Sequence, residues 1–480
     1  MKTEPMTQQV DALVAMENRE FYALGAEQGT GKTWVALADA ERLWRNGRIN
    51  GMLVVTLNGV HDNWVRREIP AHLECEHHAV AWNSKAGKRE MAKIERVLHA
   101  DESELAILTM NIDAINTKKG SAFVDRFMDR YTVYMVMDES QIIKNPQSKA
   151  NKRAKVLGER AAYRRILSGT LVADKPLDLF GQYHFLADGL LGTTSYRAFV
   201  SRYAVILPQH HPLVQHAKAA SRGRGEPQII AKDKDGHPQY RNLEKLKERL
   251  RPHTFRVLKK DCMDLPEKIY QSHYFDLTPA QRRTYNHLKE NLRVEWGDRE
   301  PTIVDRLSAQ TKLQQITSGY ILEDGEPTIL IEDNPRTAAF VSLLGNIDGS
   351  ILVWARYRAE VDQIARACSL KRIPHAVYYG DTKKVDREKA VDDLQSGEVK
   401  VFIATEAAAR GLTLTKAETS IYYSNSFKRE VRVQSEDRNH RKGTVNPVVY
   451  IDLVAKDTVD EDIVKALQIK TAVADFVMDF

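Results

Sequence analysis

With 480 residues the chain is too long for one hydrophobic core and suits two or three domains, and its 42% hydrophobic and 28% charged residues read as soluble and globular, with no low-complexity tract. No apolar run approaches the roughly 18 residues of a membrane span, and MKTEPMTQQ carries no signal-peptide core, so neither a membrane protein nor a secreted one is expected. The net charge of +6 is modest, so clustering of charge says more than the total; three scattered cysteines with no CxxC pair argue for a reducing, cytoplasmic setting and against structural zinc.

In chain order, Met6 to Met16 reads as a helix carrying Gln8 and Gln9. A glutamine there either hydrogen-bonds an adenine edge or is simply exposed, and spacing alone does not decide. Phe21 to Leu24 is an apolar run long enough for one buried strand, followed by AEQGTGKT (Ala26 to Thr33) and a helical pattern with Val35, Leu37, Ala38 and Leu43 near one face. Strand, glycine-rich loop, Lys-Thr and helix form a phosphate cradle. In it the backbone N–H groups of Glu27, Gln28, Gly29, Thr30 and Gly31 face phosphate, Lys32 reaches the β and γ oxygens, and Thr33 ligates Mg²⁺. The strict pattern has Gly where this chain has Ala26.

Gly51 to Leu57 is a continuous apolar run, as in a buried parallel strand, and HDNWVRREI after it starts a helix. Cys75, His77 and His78 read as a surface turn rather than a metal cluster. Leu105 to Met110 and Tyr131 to Met137 are further strands, the second ending at Asp138-Glu139. An acidic pair at the carboxyl end of a buried strand sits where open α/β sheets bind ligands. There Asp138 holds Mg²⁺ and Glu139 accepts a proton from the attacking water. Eight Lys or Arg lie between Lys144 and Arg165, and a second basic block spans Lys245 to Lys260. Such blocks are either solvated faces or an electrostatic footprint for a phosphate backbone. Tyr163 to Thr170 gives one more strand with a Ser-Gly-Thr turn.

This rhythm delimits a nucleotide-binding lobe over residues 1–186, a helical, basic insertion over 187–265, and a second α/β lobe over 266–480. His210, His211 and His216 in the insertion lack partners at metal-ligand spacing. In the second lobe, strands are expected at Ile269 to Phe275, Gly349 to Trp354, His375 to Tyr379, Lys400 to Ala404, Thr419 to Tyr423 and Val448 to Leu453, with a helical insertion at about 286–333. No hairpin signal stands out between them. QSEDRNHRKG places Arg438 and Arg441 one helical turn apart on one face, where their planar forks can engage phosphate bidentately.

Together these residues resemble the superfamily-two helicases, and within them the Swi/Snf DNA-dependent ATPases. AEQGTGKT, LVVTLNGVHDNWVRREI, MDESQIIKNPQS, RRILSGTLVADKPLDLFGQYHFL, YYGDTKKVDR, IATEAAARGLTLTKAETSIYY and QSEDRNHRKG look like that family's motifs, in order. LKERLRPHTFRVLKKDCMDLPEK followed by LTPAQRRTY is the part that other branches do not usually show. Gln141 stands where His is usual, Leu171 where Pro is usual, and Ala408-Ala409-Arg410 where Gly is common. None removes a phosphate, metal or proton-transfer role.

The resemblance implies an α/β fold of two RecA-like lobes with parallel sheets and a mainly helical insertion between them. It implies ATP and Mg²⁺ as cofactors, Gln9 at adenine, and Arg438 and Arg441 completing the site from the second lobe. Duplex or branched DNA is the implied partner, touched near Trp64, Thr109, Lys149 and Thr405. The expected protein is a monomeric translocase, close to a bare motor of the kind found in bacteria and their viruses. A strand-separating or branch-migrating helicase, or a nucleotide-gated nucleic-acid- or polymerase-binding protein that hydrolyses little, are the competing readings.

Overall fold

The continuous apolar runs become the buried strands of two parallel sheets. The computed structural model describes residues 1–220, 227–296, 303–323, 326–329, 331, 333–380, 382–405 and 412–480. They divide into two compact units, one of residues 1–207, 228–264 and 473–480, the other of 208–227 and 265–472.

In the first unit the strands are β1 (Phe21–Ala26), β2 (Gly51–Thr56), β3 (His77–Ala81), β4 (Leu105–Asn111), β5 (Val133–Asp138), β6 (Tyr163–Ser168) and β7 (Thr254–Val257). Their order across the sheet is β3-β4-β2-β5-β6-β1-β7, with every neighbouring pair parallel. β2 and β5 are buried at every position, as their unbroken apolar sequence requires of a central strand covered on both faces. Helices Lys32–Arg45 and Lys118–Arg130 each bury an apolar stripe.

Two expectations are corrected here. His77 and His78 open the edge strand β3 instead of a surface turn, with His77 Nδ1 against the Cys75 carbonyl at 2.7 Å. The stretch 187–265 is not a separate insertion, because its residues 187–207 and 228–264 belong to the first unit. Helices Tyr196–Tyr203 and Leu243–Leu250 send Phe199, Val200, Tyr203, Leu246 and Leu250 into that unit's core, and β7 adds a strand beside β1. Hydrophobic burial draws the segment onto the sheet although its overall composition is polar.

The second unit holds β8 (Lys268–Phe275), β9 (Tyr320–Glu323), β10 (Glu326–Ile329), β11 (Ser350–Ala355), β12 (His375–Tyr378), β13 (Val401–Thr405), β14 (Ala417–Tyr422) and β15 (Val448–Ala455). Six of them form a parallel sheet in the order β12-β13-β11-β14-β15-β8. Helices Pro279–Trp296 and Ile303–Thr317 precede β9, and β9 pairs antiparallel with β10. That hairpin is a further correction, since none was expected in this lobe; Leu322 and Ile329 on it are exposed. No described helix is long and apolar enough to cross a membrane.

Candidate active site

Strand register brings three sequence-distant stretches together. β6 lies between β1 and β5, with Gly25 paired to Ser168 and Asp138 to Leu167. The phosphate loop after β1, the Ser-Gly-Thr turn after β6 and the acidic pair after β5 therefore emerge side by side from the carboxyl end of one sheet, the ligand side of an open α/β fold.

Ala26 explains itself in this frame. It is the last residue of β1, buried and paired with Val257, so its backbone is extended and needs no glycine. The left-handed positions are Gly29 (φ 86°) and Gly31 (φ 92°), where a side chain would be strained. At Gly31 an added Cβ would also lie 1.9 Å from Gln9 Nε2. Gly31 caps the helix Lys32–Arg45, whose first N–H groups have no intrahelical partner and suit an anion. Lys32 Nζ donates to the carbonyls of Ala26 (2.8 Å) and Glu27 (3.3 Å), and Thr30 Oγ1 donates to Glu27 O at 2.7 Å. Thr33 follows Lys32 in the helix, and Gln28 lies partly buried in the loop. Gln9, buried, donates to the Gly31 carbonyl at 3.4 Å and accepts from Met6 N at 2.7 Å, so it braces the loop itself. The Glu27 carboxylate turns to the backbone N–H of Lys259 at 2.6 Å, tying the loop to the segment after β7.

Asp138 is buried and receives three hydrogen bonds: Trp64 Nε1 at 3.0 Å and Thr56 Oγ1 at 3.3 Å on Oδ2, and Glu139 N at 3.0 Å on Oδ1. Burial pushes its carboxyl above the ordinary range, against the pull of the Trp64 N–H and the Lys32 charge. Glu139 stands in the left-handed region (φ 51°, ψ 55°), a conformation non-glycine residues hold only where the surroundings impose it. Its Oε2 accepts from Gln141 Nε2 at 2.7 Å, Gln141 Oε1 accepts from Ser168 Oγ at 2.8 Å, and Ser168 Oγ accepts from Thr170 N at 2.9 Å. A glutamine in place of histidine thus joins Glu139 to the Ser-Gly-Thr turn, whose Gly169 sits against the backbone of Gln28. Leu171 is buried, its Cδ1 2.9 Å from where a Cβ on Gly25 would stand, so it packs on the strand that carries the phosphate loop.

The other expected site residues divide. Trp64 and Thr109 do not reach a nucleic-acid surface: both are buried, and Thr109 Oγ1 donates to His61 O at 2.9 Å. Lys149 is exposed at the first turn of the helix Lys149–Arg160. Thr405 ends β13 and is part-buried, while Ala408-Ala409-Arg410 lie outside the described residues. Arg438 and Arg441 do not share a helical face, because their helix ends at Glu436. They meet instead on one acceptor, the Leu412 carbonyl, at 3.1 and 3.2 Å. Arg438 is buried and also donates to Gln434 O at 2.7 Å; Arg441 is part-exposed and donates to Thr413 Oγ1 at 2.8 Å.

The basic run from Lys144 is mostly neutralised within the fold. Lys144 pairs with Asp174, Arg153 with Asp125, Lys155 with Glu159 and Asp188, Arg160 with Asp125 and Asp129, and buried Arg165 with Asp39. Sequence reasoning missed three supports of the site: Trp64 and Thr56 on Asp138, and the Lys259 amide on Glu27. A bulky indole two turns past an apolar strand is a signal for burial as much as for contact.

Residues 10–320 match the SNF2-related domain and residues 336–443 the helicase conserved C-terminal domain. The chain is 25% identical over 403 residues to TATA-binding protein-associated factor mot1 of Schizosaccharomyces pombe, covering 72% of this chain and 20% of that one. It is 25% identical over 467 residues to the Drosophila melanogaster SWI/SNF-related matrix-associated actin-dependent regulator of chromatin subfamily A-like protein 1, covering 93% of this chain and 52% of the other. It therefore spans about a fifth to a half of the length of these relatives. Among solved structures, the Sulfolobus solfataricus SWI2/SNF2 ATPase core in complex with dsDNA is similar over 100% of this chain and 94% of that chain, at 21% identity and a TM-score of 0.42. The SNF2-related match alone takes in well over half of the chain, which belongs to the SNF2 family of superfamily-two helicase-like ATPases.

Proposed function

We propose that this protein is an ATP-driven DNA translocase, which hydrolyses ATP when bound to DNA and uses the cycle to track along duplex and displace what is bound there. The observation that carries this reading is the meeting of the phosphate loop, acidic pair and Ser-Gly-Thr turn on three adjacent strand ends. In it, Lys32 leaves the Ala26 and Glu27 carbonyls for the phosphates, and Glu139, aimed by Gln141, takes the proton of the attacking water. A buried carboxylate with three donors already on it suits a hard cation, and Asp138 with Thr33 would hold Mg²⁺. When bound, that ion neutralises charge on the phosphates. Arg438 and Arg441 would complete the site from the second unit. The Gln141–Ser168 link would pass a change at Glu139 to the turn after β6.

A strand-separating helicase is the second reading, favoured by the β9–β10 hairpin with exposed Leu322 and Ile329. Parting a duplex costs about 1.4 kcal/mol per base-pair step, so such an enzyme needs an element that holds strands apart. A triplex-displacement assay beside a forked-duplex assay separates the two, with Lys32→Ala as control. Third-strand release without fork unwinding is expected. ATP-dependent fork unwinding with no third-strand release would sink the translocase reading, and ATPase activity indifferent to added DNA would favour a nucleotide-gated binding protein.

DNA affinity should fall steeply with salt, log K dropping by roughly 0.9 per log unit of salt for each phosphate neutralised. Lys149 and Lys152 are exposed and pair with no acidic side chain among the described residues, so they are the cations of their helix available to supply that term. Replacing both with Ala should lower the slope of log K against log salt by about one to two. Arg153→Ala should leave the slope unaltered, because Asp125 already holds that guanidinium. An unchanged slope in the double variant would mark the helix as an ordinary solvated face.

A further inference from the structure

Trp64 is among the largest fully buried side chains of the protein, and its indole N–H has a single acceptor, the Asp138 carboxylate at 3.0 Å. It is delivered there by an irregularity of the backbone. The helix after β2 runs Val60–Asn63 as α, turns to π over Trp64–Glu68, and returns to α over Ile69–His72. A π turn admits one extra residue and re-aims the side chains around it; such turns concentrate at functional sites. Here it drives Trp64 into the sheet while leaving Arg66 and Arg67 of the same turn exposed. A purely structural indole would be satisfied by any backbone carbonyl. This one is spent on the anion best placed to hold a cation, with Thr56 Oγ1 beside it on the same oxygen.

We propose that Trp64 is a positioning residue for the metal site: its N–H fixes the orientation of the Asp138 carboxylate, and through it the place at which Mg²⁺ is held. The inference rests on the ATPase reading above and deepens it. Groups that orient a metal-binding carboxylate without touching the metal typically account for 10- to 100-fold in metal affinity or activity. With the N–H gone, Oδ2 keeps only the longer bond from Thr56, and the carboxylate, held otherwise by Glu139 N on Oδ1, is less firmly oriented.

The test replaces Trp64 site-specifically with benzothienylalanine, which keeps the bicyclic shape and exchanges the N–H donor for a sulfur that cannot donate. Binding of a fluorescent ATP analogue is titrated with Mg²⁺ and repeated in EDTA, beside a thermal melt. The Mg²⁺ concentration that gives half-maximal tightening should rise about 10-fold or more, with nucleotide affinity in EDTA unchanged and the melting temperature lowered by no more than one lost hydrogen bond accounts for. Trp64→Phe should show the same shift in Mg²⁺ dependence together with a lower melting temperature, since it also leaves a void. An unaltered Mg²⁺ half-saturation in the benzothienylalanine protein overturns the role. A wild-type protein whose ATP affinity ignores Mg²⁺ would overturn the ATPase reading, and the Trp64 role with it.

Discussion

Lys32→Ala is expected to abolish ATP turnover while leaving the fold and DNA affinity largely intact. The ammonium is part-buried and rests on two carbonyls of its own loop, Ala26 and Glu27, and forms no ion pair among the described residues. Removing it orphans little, because the loop keeps Thr30 Oγ1 on Glu27, Gln9 on Gly31 and Lys259 N on the Glu27 carboxylate. Only with phosphate present does its absence matter. Glu139→Gln tests the neighbouring step differently. The residue is held in a left-handed backbone by its surroundings, and an amide of the same shape can still meet Gln141, so ATP should bind. What the amide cannot do is accept a proton, and general bases typically contribute about 10² to 10⁴ in rate. A loss of that order in single-turnover hydrolysis, with unchanged nucleotide binding, is the expected pair of results. Near-normal turnover by the Glu139→Gln protein would remove it from the role of base.

What could be read from the residues alone follows a physical line. β2, β4 and β5 lie inside parallel sheets, covered on both faces, so their sequences are unbroken apolar runs and could be placed to within a residue or two. β3 (HHAVA) and β7 (TFRV) are half-buried strands at the two edges of the same sheet. Edge strands keep polar side chains, and these read as turn and insertion. The phosphate loop and acidic pair were legible because their chemistry demands particular residues at fixed spacing. Their supports were not, since Trp64, Thr56 and Lys259 reach the site through tertiary contacts that no local pattern encodes. The resemblance implies DNA near Trp64 and Thr109, yet the π turn after β2 and the strand β4 that carry them turn both side chains inward. Arg438 and Arg441 were placed on a helical face that stops short of them. The side chain of Asn439, buried on the Ala417 carbonyl and Ser420 Oγ, belongs to a packed turn instead.

That turn sharpens the remaining expectation, which concerns how the second unit contributes to turnover. Arginines supplied to a transferring phosphoryl group are worth on the order of 10³ to 10⁵ in rate. Both candidates hold the Leu412 carbonyl, but at different cost to release. Arg438 is buried and also satisfies Gln434 O; its removal leaves that acceptor short of a donor, at about 1–3 kcal/mol. Arg441 is part-exposed, and its second partner is the hydroxyl of Thr413, which water can replace. On the proposed reading, Arg441 is the arginine freer to engage phosphate, while Arg438 keeps the turn in shape. Arg441→Ala should lower kcat by about 10³ or more at an unchanged melting temperature. Arg438→Ala should lower both kcat and the melting temperature, and Arg441→Lys should recover little, since a point charge cannot reproduce the planar fork. The measurement is ATPase rate at saturating DNA and ATP beside a thermal melt of each variant. Normal hydrolysis by both alanine variants would end the model in which the second unit completes the site. A rate loss confined to Arg438→Ala would reverse the assignment between the two.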